Sequence, residues 1–250
     1  MASYLGVDWA GGCWVVAKTG DDHLVTTEPA FFNVWHEHGR DDDVQSILVD
    51  VPIGLPEEGT RACDQEAKDR LGARGGSVFQ IPRREVVETD RYCEARKMNN
   101  NSLRSQSWWL FPRIREVDMF LQEYDDALSK VYESHPELCF RVLADSELSS
   151  KDTEDGLKDR RKLLEPGTGL CSRVQELLEE RKDAEWHHRI SKGRRDDVLD
   201  AAVLADTAKR LELGPDESQG NYPVLPADRD VGRDSTLDIH PEIVIPKSRE

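Results

Sequence analysis

SYLGVDWAGGCWVVA, residues 3–17, holds two short apolar runs, SYLGVD and CWVVAK, the second reaching residue 18, broken by Gly11-Gly12. Runs of that length around a glycine pair read as a β-hairpin. Thr19-Gly20-Asp21-Asp22 is a second turn, leading into a third strand near 23–32, so the chain opens with three antiparallel strands. A polar, partly helical segment, VWHEHGRDDDVQ, then precedes SILVDVPIGL at 46–55. This run is continuously apolar up to Asp50 and closed by Pro-Ile-Gly-Leu-Pro, the pattern of a strand covered on both faces, and it is expected beside the first strand. Three antiparallel strands followed by parallel ones, flanked by helices, give an α/β fold with a mixed sheet.

Between about 61 and 127 the text turns helical: ACDQEAKDRLG, REVVETDRYCEARKM and IREVDMFLQEYDDAL carry apolar residues three and four apart. VYESHPELCFRVLA, 131–144, reads as another strand, bent at Pro136, and two charged helices are expected near 154–164 and 169–186. RRDDVLDAAVLADTAKRLEL, 194–213, is a well-marked helix whose small apolar body suits close packing on a sheet. The tail from about 214 ends in PEIVIP, an edge-strand pattern. The organisation expected is one domain over 1–250, with a helical insertion at about 61–127 and a C-terminal tail, and the text holds no internal repeat.

Asp and Glu number 50 against 34 Lys and Arg, a formal net charge of -16, and Arg outnumbers Lys by 23 to 11. The acid is spread along the chain, in DDDVQ, EYDDAL, KDTEDGLKD and LLEERKDAE, rather than held in one tail. That pattern suits high salt, where counterions screen self-repulsion over roughly 3 Å at 1 M. It weighs against a broad nucleic-acid-binding face, which needs a basic patch. Cys13, Cys63, Cys93, Cys139 and Cys171 are odd in number and never form a CxxC pair, which reads as reduced thiols in a cytoplasm. Nowhere do about 18 apolar residues run together, so no membrane partner is expected.

Four acids stand at the ends of apolar elements: Asp8, Asp50 in ILVDVP, and Asp197 with Asp200 on the late helix. Residues 197 and 200 are three apart and share a face. If the first and fourth strands are neighbours, Asp8 and Asp50 lie side by side, and a helix across the sheet can present Asp197 and Asp200 to them. Carboxylates gathered so closely raise one another's pKa unless a divalent cation sits among them, and Mg²⁺ or Mn²⁺ is the natural choice for an all-oxygen site. Two such ions about 3.5 to 4 Å apart suit hydrolysis of a phosphodiester. Each acid also has a plainer role open to it: Asp8 and Asp50 as turn residues, Asp196 and Asp197 as helix caps. Glu133 and Glu137 flank His135 on what reads as one strand face, where they could ligate or orient a metal-bound group, or else form a solvated edge.

The ordered motifs GVDWAGG, VDVPIGLP, CDQEAKDRLGARGGSVFQIPRRE, SQSWWLFPRIREVD, ESHPEL, SSKDTEDGLKDRRKLL and DDVLDAAVLADTA resemble those of the domain-of-unknown-function family 429, described as predicted nucleases of the ribonuclease-H-like fold. The resemblance covers about residues 3–213. In that superfamily, resolvase-type nucleases place one acid on the first strand, one on the fourth and a pair on a late helix, a layout similar to Asp8, Asp50, and Asp197 with Asp200. The resemblance implies a catalytic set of Asp8, Asp50, Asp197 and Asp200, with Mg²⁺ or Mn²⁺ held by these four aspartates; Glu133 and Glu137 join the catalytic candidates from the strand-face reading above. It also brings forward Arg74, Ser77, Arg83, Gln106, Arg113, Lys151 and Arg160 as polar residues within family motifs that could hold a phosphate. Trp108 and Trp109 could stack a base or serve a helix core. The reading that results is a metal-dependent nuclease or phosphodiesterase with a nucleic acid or nucleotide substrate. A non-enzymatic binding protein retaining the fold, and a sugar-kinase-like nucleotide binder, stand as alternatives.

Overall fold

The computed structural model describes residues 2–164, 169–180, 195–214, 222–229 and 231–247. Its centre is a five-stranded mixed sheet of β1 (Ser3–Trp9), β2 (Trp14–Thr19), β3 (Leu24–Glu28), β4 (Val44–Val49) and β5 (Val131–Glu133), in the order β3-β2-β1-β4-β5. The first three strands are antiparallel, and β4 and β5 run parallel to β1. This is the ribonuclease-H-like arrangement expected, with β4 beside β1. The hairpin closes where Ala10 N–H bonds Cys13 carbonyl at 2.9 Å, and Gly11 there has φ of 70°, a conformation that costs glycine little. The third strand is shorter than expected: it stops at Glu28, before Pro29, and Phe31 opens a helix.

That helix, α1 (Phe31–Val34), continues into a π-type turn over Trp35–Gly39. The block after β4 is helical as read, with α2 (Ala62–Leu71), a 3₁₀ turn over Gly72–Ser77, α3 (Arg84–Val87), α4 (Tyr92–Met98), α5 (Ser105–Glu123) and α6 (Asp125–Leu128). The expectation for 131–144 needs correction. Only β5 is extended, and Pro136 does not bend a strand but starts a helix, α7 (Pro136–Ala144). Proline suits the first helical position because its missing N–H would have no partner there, and Leu138, Cys139, Phe140, Val142 and Leu143 then fall on a buried stripe.

The charged helices are α8 (Glu154–Leu163) and α9 (Gly169–Glu180); the expected continuation to 186 lies outside the described residues. The late helix is α10 (Arg195–Leu211). In the tail, β6 (Val224–Leu225) and β7 (Ile243–Val244) pair with each other, and one parallel bridge, Ser134 to Val244, ties this small ribbon to the β5 edge. No helix among the described residues is long and apolar enough to cross a membrane.

Both faces of the sheet are covered, which is why β1 and β2 read as unbroken apolar runs. On one face Leu5, Val7, Trp14, Ile47 and Val49 meet α1, α3 and α5, with Trp14, Phe31 and Phe120 stacked edge to face at 5.6 and 5.3 Å. On the other face Tyr4, Val15, Ala17 and Leu48 meet α7, α9 and α10. Here α10 lies directly on β1. A Cβ added to Gly6 would stand 2.0 Å from the Ala201 carbonyl oxygen and 2.3 Å from the Ala205 nitrogen, so only glycine admits the helix this close.

Candidate metal centre

The close approach at Gly6 dictates what happens one step further along. Two residues on, at about 3.3 Å per residue, Asp8 projects from the same face of β1. One turn back along α10, at about 1.5 Å per residue, Asp197 and Asp200 replace Ala201 and Ala205 as the facing residues. The two steps nearly match, so the acids of strand and helix meet. One carboxylate oxygen from each of Asp8, Asp197 and Asp200 lies within 4.8 Å of the others, and all three residues are buried.

Asp8 and Asp200 are each held by a neighbouring donor. Asp8 Oδ1 accepts the N–H of Trp9 at 2.8 Å. Asp50 follows β4, with its N–H on the Val7 carbonyl at 2.9 Å, so it stands across from Asp8, close enough for the two carboxyls to share a proton. It faces the trio rather than joining it. Burial, and then the charges of Asp50, Asp200 and Asp197, push the Asp8 carboxyl well above the usual range. Asp200 is pushed up to about 7 by burial, with Asp50 and Asp196 adding repulsion and Lys151 opposing them.

Lys151 is the cation of the cluster. Its Nζ lies 2.9 Å from Asp196 and 3.1 Å from Asp200. The loop that presents it is fixed from several sides. Thr153 donates its hydroxyl to the Ser150 carbonyl at 2.7 Å and accepts the Gly156 N–H, capping α8. Gly156 leaves room for the Ser150 carbonyl, which a Cβ would approach to 1.9 Å. The Arg160 guanidinium, fully buried, donates to the carbonyls of Ser149 and Gly156 and to both oxygens of Glu137.

The two glutamates do not share a strand face. Glu133 ends β5, accepting the Ile53 N–H at 2.7 Å and an ion pair from buried Arg61. Glu137 lies in the first turn of α7, its oxygens taken by Arg160 and Arg74. Of the other polar residues singled out in the sequence, Arg74 therefore braces Glu137. Ser77 donates to the Arg74 carbonyl and lines a cavity of about 120 Å³ that reaches Asp50. Arg113 lies over the Trp9 ring at 4.2 Å, one residue from Asp8. Arg83 pairs with Glu85, and Gln106 is exposed on the first turn of α5. Trp108 packs against Tyr92 and Phe111, whereas Trp109 is 76% exposed.

His135 gains a place that its sequence neighbours did not suggest. It precedes α7, lines the same cavity as Asp50, and its buried Nδ1 has no hydrogen-bond partner. Its nearness favours the charged form of Asp50. A histidine between two glutamates gave no sequence signal for this, since only the switch from strand to helix at Pro136 turns it toward Asp50.

The residues present suit a hard divalent cation. The donors are all carboxylate oxygens, and Asp200 Oδ1 is buried without a hydrogen-bond partner. No curated protein and no solved structure matches the chain. The family model described as "Protein of unknown function (DUF429)" matches residues 6–230, a span containing Asp8, Asp50, Lys151, Asp197 and Asp200, and the chain belongs to that family.

Proposed function

We propose that the protein is a divalent-metal-dependent phosphodiesterase acting on a nucleic acid or nucleotide, with Asp8, Asp197 and Asp200 as metal ligands and Asp50 completing the acidic wall. The observation that carries this reading is the convergence of three buried carboxylate oxygens within 4.8 Å, with a fourth acid facing them. Buried like charges at that spacing oppose folding unless they are protonated or compensated. Lys151 compensates part of the charge, and the acids that remain are the chemistry by which proteins hold Mg²⁺ or Mn²⁺. Such an ion would supply Lewis-acid activation of water and neutralise charge at the phosphate.

The chain's own groups divide the remaining work. Asp8 is kept in one orientation by the Trp9 N–H, and Asp200 by Lys151. Strand and helix carry both acids on rigid elements rather than loops, which favours a fixed geometry at the reacting phosphate. His135, with Nδ1 unbonded beside Asp50, is placed to hold or release a proton at that end of the cluster. The 120 Å³ cavity next to it, lined by Phe79 and Leu110 among others, offers an apolar wall for a base or sugar.

The test is cleavage of single- and double-stranded DNA, RNA, branched junctions and dinucleotides with Mg²⁺ or Mn²⁺. Activity should fall at least about 100-fold in Asp8→Asn and in Asp200→Asn, the scale expected when a ligand needed in the transition state is removed. Full activity in both variants would overturn the proposal. Metal binding without turnover on any substrate would point instead to a binding protein that keeps the fold.

A further inference from the structure

The helical block holds a second polar cleft, of about 230 Å³, between the last turn of α2, the Thr60–Pro82 bridge and the start of α5. Its charged lining is wholly basic: Lys68 from the last turn of α2 and Arg104 from the residue before α5, with no carboxylate among the lining residues. This is unusual in a chain of net charge -16. Arg61, Arg74, Arg84 and Arg160 are each committed to a carboxylate, whereas neither Lys68 nor Arg104 forms an ion pair among the described residues. Burial and the like charge of Arg104 pull the Lys68 ammonium below its ordinary range, against Asp64. Partly buried Lys68 and exposed Arg104 line one cleft and repel each other, and an anion between them removes the repulsion.

Two further features complete the cleft. Ser107 lines it, is 5% exposed, and its hydroxyl has no hydrogen-bond partner among the described residues. It stands in the first turn of α5, a helix of 19 residues that has no side-chain cap. The first N–H groups of such a helix have no acceptor within it, and its dipole favours negative charge there. Lys68 at the end of α2 could be explained by that helix's own dipole, but Arg104 and the unpartnered hydroxyl of Ser107, a residue buried except where it lines the cleft, could not. The volume is below the roughly 300 Å³ of a typical small-molecule pocket, which suits a compact polar anion.

We infer that this cleft binds a phosphate group, held by Lys68, Arg104, the Ser107 hydroxyl and the first turn of α5. Val78 and Phe79 line both this cleft and the cavity that reaches Asp50, so the two are neighbours. Where the proposed phosphodiesterase reading holds, the phosphate bound here is one flanking the scissile phosphate, and the cleft sets how the nucleotide chain is laid against the acids.

The probes are orthophosphate and a 5′-phosphorylated dinucleotide, titrated separately into the full chain at low salt by calorimetry and phosphorus NMR, with no divalent ion present. The expectation is one site, weakened about tenfold or more in Lys68→Gln/Arg104→Gln and several-fold in Ser107→Ala. All variants should keep the wild-type circular dichroism and the wild-type Mn²⁺ stabilisation. Binding of both probes identifies a site for a terminal or free phosphate, and binding of the dinucleotide alone identifies one that needs the attached nucleoside. Equal affinity in wild type and the double variant, or no binding of either probe, overturns the inference. Loss of phosphate binding leaves Mn²⁺ stabilisation to report on the carboxylates, so failure here and failure of the phosphodiesterase reading are told apart.

Discussion

Asp200 is the residue whose chemistry is most exposed to test. Burial pushes its carboxyl up to about 7 from an ordinary 3.8, so between those values the folded chain holds a proton that the unfolded chain has released. As far as this group decides it, stability of the metal-free protein should therefore be greatest below about pH 4, fall as pH rises from there through about 7, and level off above. Mn²⁺ competes with that proton, so its stabilising effect should grow over the same interval. Thermal unfolding from pH 5 to 8, with and without the ion, reads both trends; a flat metal-free profile would contradict the assignment. Asp8→Asn removes one of the mutually repelling acids. It should raise the melting temperature of the metal-free protein, by about 2–4 °C for each kcal/mol of relieved repulsion, while abolishing the response to Mn²⁺. At this scale the sequence was informative about Asp8, Asp50, Asp197 and Asp200, because each ends an apolar element and 197 and 200 share a helical face. It brought Lys151 forward only as a phosphate holder and His135 only as the residue between two glutamates: a charged loop and a histidine beside proline acquire their place next to the aspartates only through the turn at Ser150–Thr153 and the start of α7.

Among the elements, the contact between β1 and α10 carries the most consequence. Gly6→Ala places a methyl group against backbone atoms of Ala201 and Ala205 that cannot move aside singly, so the helix must shift. The expected cost is about 3 kcal/mol or more, read by denaturant unfolding, with weakened Mn²⁺ stabilisation because Asp197 and Asp200 move with α10. Arg61→Met probes the β5 edge. It leaves Glu133 and Asp64 buried beside each other without their cation and should cost about 3–5 kcal/mol, while Glu133→Gln/Arg61→Met should recover part of it. The strands β1, β2 and β4 and the helix α10 were legible because period and apolar continuity agree there. The stretch 131–144 was not, since a run apolar on nearly every residue fits strand and helix alike, and the decisive clue was that proline is as suited to opening a helix as to bending a strand.

For the whole molecule, charge dominates. At a net charge of -16 the folded surface repels itself, and screening contracts from about 10 Å at 0.1 M salt to about 3 Å at 1 M. The melting temperature should rise with KCl across that range, and a fall would mean that the ion pairs outweigh the repulsion. Overall charge was legible from composition, but the cleft of Lys68 and Arg104 was not, because one residue ends α2 and the other precedes α5, and a local basic pair leaves no trace in a count. The meeting of β1 with α10 also sets a timetable. The acids of the cluster come from β1 and from α10, the first of the strands and the last of the helices among the described residues. A nascent chain on the ribosome therefore has no centre to load until α10 has emerged and docked, and an ion taken up then would fasten β1 to an element made long after it.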